Sequence, residues 1–239
     1  MKNFMIFLCL FSLFTALPLA VQAEEQGRKV MAIKKQAGSP YSLNNLPFTP
    51  TNLVPMVEDK DLQGNPKGAI PDEVIKKIDD RCLAKVPERF TPDAHHTYCA
   101  CTSAATQGTV RLGELAEMQK KENRVIGNKT FENYVQNVVA PCMEMPVEEI
   151  EYLYCVLYKS NDLRISYIPT YCKCVGKKMR DHVKKLASAN ILLELGNTTR
   201  AKSDPIQALW KSEGYQRALE NSRDSCALSY LKRDTPFKQ

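Results

Sequence analysis

The sequence predicts an all-α protein made of two tandem disulfide-stapled three-helix units, roughly 70–90 residues each, preceded by a proline-rich extended arm. Three observations lead there. The amino terminus reads as an export signal, eight cysteines beyond it fall in a spacing that occurs twice, and apolar residues recur at helical period with no convincing strand run. Composition allows it: among 239 residues, 44% are apolar and 25% charged, which suits a packed core and excludes a fibrous or wholly disordered chain.

Residues 1–23 have the build of a secretory signal. Lys2 precedes an apolar run from Phe4 to Leu19, and Val21, Gln22 and Ala23 supply a plausible cleavage site. The run is short for a membrane span, so an uncleaved anchor is the lesser reading. Cys9 lies inside it and is removed with it. Cleavage near Ala23 leaves eight cysteines, an even number that in a periplasmic or secreted chain reads as disulfides. It also leaves a net charge of about +5, too small and dispersed to indicate a nucleic-acid partner.

Residues 24–69 form the arm. Pro40, Pro47, Pro50, Pro55 and Pro66, with Gly38, Gly64 and Gly68, break any periodicity. Its apolar cluster around Leu46, Phe48 and Met56 is expected to strap onto the helical body or onto a partner, which makes Phe48 an interaction candidate.

The cysteines define units at 70–145 and 146–235. Cys82 precedes Cys99 by 17 residues and Cys155 precedes Cys172 by 17. Cys101 and Cys174 complete two Tyr-Cys-x-Cys motifs, at Tyr98 and Tyr171, offset by 73. Cys142 and Cys226 close the units after gaps of 41 and 52, and Gly127-Asn128-Lys129-Thr130 matches Gly196-Asn197-Thr198-Thr199 between them. Agreement of spacing, flanking tyrosine and loop motif indicates duplication.

Helices are expected over 71–86, 97–122, up to 140 before Pro141, 146–159, 170–195 and 204–231. Gly127 and Gly196 suit left-handed turns, with Thr130 and Thr199 near the following caps, and Gly214 is a candidate bend. Glu148 and Glu149 read as first-turn acids. On a helix, residues two apart lie roughly 200° apart, so the cysteines of each Cys-x-Cys face different neighbours. Cys82 then pairs with Cys99 or Cys101 and Cys142 with the other; Cys155, Cys172, Cys174 and Cys226 repeat the arrangement.

No nucleophile elbow, zinc-protease motif, phosphate loop or dinucleotide fingerprint occurs, so a non-catalytic role without cofactor is expected. The leading functional expectation is a protein-binding or structural module, either a secreted effector or an envelope factor, whose partner the sequence does not identify. An alternative is a copper or thiol-redox site, because His95, His96, Cys99, Cys101, Cys142, Met143 and Met145 offer soft ligands; the bland reading of these residues is disulfides, loop and packing. A second alternative is an anionic membrane surface met by Lys177, Lys178, Lys184 and Lys185, against the simpler reading of a solvated helix face. Trp210 and Tyr215 are candidates for an interface anchor or for core. Asn128 and Asn197 stand in Asn-x-Thr and would accept glycans only on a eukaryotic secretory route.

Overall fold

Helix α1, Asp72–Leu83, begins after Pro71 with Asp72 and Glu73 in its first turn, where acidic side chains favour the helix dipole, and buries Val74 and Ile78. It belongs to a computed structural model that describes residues 57–87, 89–159, 167–197 and 204–234. The expected signal segment, Phe48 with the rest of the expected arm cluster, and Thr198-Thr199 lie outside the described residues.

Helix α2, Pro92–Thr109, starts five residues before the expected position because Thr91 caps it: the Thr91 hydroxyl accepts the Ala94 N–H at 3.0 Å, and Pro92 occupies the first turn. It also stops early. Val110 is extended (φ −105°, ψ 140°), Arg111 forms an antiparallel bridge with Ala69, and the chain restarts as α3, Leu112–Gln119. The single helix expected over 97–122 is therefore two. The break is set by the end of the arm, which docks here: Leu112 N–H donates to Gly68 O and Gly113 N–H to Pro66 O. A Cβ on Gly113 would sit 2.9 Å from that of Pro66, so the approach requires glycine.

Gly127 takes the left-handed turn (φ 95°), and Asn128, one residue beyond it, caps α4, Lys129–Tyr134, by accepting the Phe131 N–H. Pro141 does not end the helical path. A π turn over Val135–Val139, in which Ala140 N–H reaches Val135 O, leads directly into α5, Ala140–Cys142, with Pro141 inside it. Shifting the bonding pattern by one residue absorbs the missing proline donor.

Helix α6, Glu144–Tyr154, follows almost at once and continues into a second π turn, Cys155–Lys159. Glu148 and Glu149 accordingly lie in its second turn, and their contacts are made with other elements. The long α7, Ile168–Asn197, runs through Gly196, which is helical here and does not form the expected left-handed turn. Asp204 then caps α8, Pro205–Lys211, accepting the N–H groups of Ile206 and Gln207. The expected last helix is also divided: Ser212 is extended and α9 runs from Glu213 to Asp234. Gly214 serves close approach, since a Cβ there would fall 2.4 Å from Asn190 Oδ1 of α7.

The architecture is all-α, with no strand among the described residues, and four disulfides staple it. Helix α7 packs against α6, α8 and α9, while α2 packs against α1 and α6. The core includes Leu115, Met118, Phe131, Met143, Met179, Ile191, Leu209 and Leu219. The boundary expected between residues 145 and 146 falls inside α6, and side chains from both sides of it share the interior. Among the described residues no helix is long and apolar enough to cross a membrane.

Candidate functional site

The disulfides join Cys82 to Cys99, Cys101 to Cys142, Cys155 to Cys172 and Cys174 to Cys226, with Cα separations of 5.5–6.0 Å. Within α2 the two cysteines point apart. Cys99 faces α1 through Cys82, whereas Cys101 shares a face with Ala94 and Thr97, at helical offsets of seven and four, and ties that face to α5. In the same way Cys172 ties the start of α7 back to the end of α6, and Cys174 reaches α9. Four disulfides fit an oxidising, extracellular type of environment.

Between α2, α6 and α7 lies a cleft of about 440 Å³. Ala94 and Thr97 form one wall, Met145, Pro146 and Tyr152 another, and Lys173 stands on the third. Its walls are stapled near both ends, by Cys101–Cys142 where α2 meets the start of α6 and by Cys155–Cys172 where α6 meets α7. Met145 remains 51% exposed, an unusual position for a thioether beside the buried Ala94 and Pro146. The polar edge is fixed: Thr91 donates its hydroxyl to Glu149, and Arg180 holds Glu144 and Glu148 at 3.0 Å each. The close contact of α6 with α7 depends on Gly176, where a Cβ would lie 2.5 Å from Glu148 O.

The soft-ligand set read from the sequence is divided by this geometry. His95 Nε2 lies 3.4 Å from Cys99 Sγ, one turn away, and Cys82 joins them. Cys101 and Cys142 form a separate bridge, His96 is exposed, Met143 is fully buried in the core, and Met145 faces the cleft. Burial, reinforced by neighbouring His96, lowers the His95 pKa.

Trp210 and Tyr215 are interior residues, 3% and 0% exposed, in place of the surface anchors weighed from sequence. Trp210 packs against Phe90 at 5.7 Å and lies 4.3 Å beneath the Arg89 guanidinium. The lysines of α7 do not form one stripe. Lys177 and Lys184 share the flank of Arg180, where Lys184 reaches Glu144 at 3.6 Å, while Lys178 and Lys185 stand on an open arc beside exposed Leu186 and Leu193.

Sequence reasoning overlooked the cleft, Arg89 and Glu151. The cleft is assembled from three separated helices and has no contiguous motif. Glu151 had one available signal: it falls among apolar α6 positions facing inward, one residue after buried Ile150.

No family model, curated protein or solved structure matches this chain.

Proposed function

We propose that this is an exported, non-catalytic binding module, built from a duplicated four-cysteine unit, whose cleft receives an apolar side chain from a protein partner. The single observation that carries the reading is exposed Met145 on the wall of a cleft whose three helices are cross-linked near both ends. Binding loses less free energy to ordering when the site is already fixed, and the cross-links supply that rigidity. A volume of about 440 Å³ holds a large aliphatic or aromatic anchor, and methionine adapts to the shape of what it meets. Glu149 and Lys173 give the rim both charge signs, which would orient the flanking backbone or polar groups of that partner. Cleavage near Ala23 and delivery to the periplasm or exterior belong to the same proposal, supported by the signal-like run and the disulfides.

The test places a photo-cross-linking side chain at position 145 of the chain in its natural compartment, with position 228, exposed on α9, as comparison. A discrete partner band from position 145, absent from 228 and lost when Thr97→Trp fills the cleft, is the expected result. Equal labelling from both positions, or an undiminished band in folded Thr97→Trp protein, would remove the cleft as the binding site.

A further inference from the structure

One disulfide carries an imidazole. Among the described residues, Cys82, His95 and Cys99 form a group of potential metal ligands whose donor atoms all lie within 4.8 Å of one another. His95 Nε2 stands 3.4 Å from Cys99 Sγ, about the spacing of two donors on a metal with bonds of roughly 2.0–2.3 Å. The ring is held in place: it is 4% exposed and meets the Phe90 ring edge-on at 5.7 Å. Cys99 is fully buried and Cys82 only partly, so solvent and reagents approach from the Cys82 side. Cys155–Cys172 provides an internal contrast, with the same separation of 17 and a Cα distance of 5.5 Å against 5.6 Å. The residue four before Cys172 is Ile168, where the first motif has His95.

We propose that Cys82, Cys99 and His95 form a copper(I) site that opens when a dithiol reduces the disulfide between the two cysteines. The dithiol gives two electrons and two protons: the Cys82–Cys99 sulfur–sulfur bond breaks, two thiols form, and the reductant becomes a disulfide. Copper(I) then binds both sulfurs and His95 Nε2, releasing the two thiol protons. A Cα separation of 5.6 Å lets the sulfurs move apart to metal-binding distance by side-chain rotation alone. Two soft thiolates with one imidazole suit copper(I), which accepts three donors, better than zinc(II), which wants four. The site is separate from the cleft and does not rest on its role.

The experiment uses the full oxidised chain under oxygen-free conditions, a graded dithiol titration, and copper(I) supplied from a competing chelator. Cysteines are mapped by alkylation at each step. The expected result is one copper(I) per chain once Cys82–Cys99 is open, with both thiols shielded from alkylation. His95→Gln should weaken binding about tenfold or more, a loss known even for outer-sphere partners, whereas His96→Gln should leave it unchanged. Copper bound equally well by His95→Gln, or no copper bound when Cys82–Cys99 is open, would overturn the proposal. Should His95→Gln fail to fold, the unmutated chain decides alone: copper that shields Cys155 and Cys172 as strongly as Cys82 and Cys99 also overturns it.

Discussion

Tyr215 donates its hydroxyl hydrogen to Glu151 Oε1 at 2.6 Å, joining two side chains 64 positions apart that are almost wholly out of water. Arg89 Nη2 stands 3.7 Å from the same oxygen, at ion-pair distance but beyond a hydrogen bond. The phenol therefore supplies the direct hydrogen bond of this buried pair. Tyr215→Phe should cost about 1.5–3 kcal/mol, the range for a hydrogen bond to a charged group. Glu151→Gln, which leaves the Arg89 charge uncompensated, should cost about 3–5 kcal/mol. Urea unfolding of the oxidised proteins measures both, and a Glu151→Gln loss below that of Tyr215→Phe would contradict the arrangement.

Stability should be greatest between about pH 6.5 and pH 10. Burial lowers the pKa of His95 and His182 below 6.5, so the native state binds fewer protons than the unfolded chain. Their contribution is present above pH 6.5 and is lost as pH falls below it. Burial raises Tyr98, Tyr134 and Tyr215 above 10.0, with the charge of Glu151 adding to the effect on Tyr215. That contribution is present below pH 10 and is lost as pH rises past it. In an ultraviolet titration these three of the ten tyrosines should ionise only together with unfolding. Smooth ionisation of all ten in folded protein would count against the buried assignments.

Two glycines in helices should respond in opposite directions. At Gly176 a Cβ meets the backbone oxygen of Glu148, so Gly176→Ala should destabilise by about 1–3 kcal/mol through overpacking and should weaken the cleft wall. At Gly108 nothing lies within 4 Å, and Gly108→Ala in α2 should stabilise by about 0.5–1 kcal/mol. Thermal unfolding of the pair is the check; a Gly176→Ala variant as stable as the parent would disprove the tight α6–α7 approach.

Asn128 is already engaged at both ends of its amide. Its oxygen caps α4 and its nitrogen donates to Glu117 Oε1 at 2.8 Å, while Thr130 donates to the other oxygen of the same carboxylate. Asn128→Ala should therefore cost about 1–2 kcal/mol. When the chain is passed through a glycosylating secretory route, folded protein should carry no sugar at Asn128, as peptide mass mapping would show.

The legible parts of this molecule are those governed by local geometry. A Cys-x-Cys on a helix must send its sulfurs to different neighbours, so the staple logic follows from spacing even though the choice between Cys99 and Cys101 does not. Asp204-Pro205 marks a helix start because its cap chemistry is complete within a few residues. The breaks at Val110 and Ser212 were hidden, being set respectively by the docked Pro66–Ala69 segment and by the Ser212 hydroxyl, which accepts the Tyr215 N–H. Pro141 misled for a related reason: the π turn ahead of it has no strong sequence signature. The cleft and the Arg89–Glu151–Tyr215 cluster bring together residues from distant segments, and no pattern along the chain announces such meetings.

Disulfide mapping tests the central claim most directly. The mature chain, recovered from its natural compartment with free thiols blocked, should weigh eight hydrogens less than its reduced form, from four bridges. Its proteolytic peptides should link 82 to 99, 101 to 142, 155 to 172 and 174 to 226. Free thiols at Cys101 and Cys142, or at Cys155 and Cys172, would leave the cleft walls unstapled and contradict a preformed binding site.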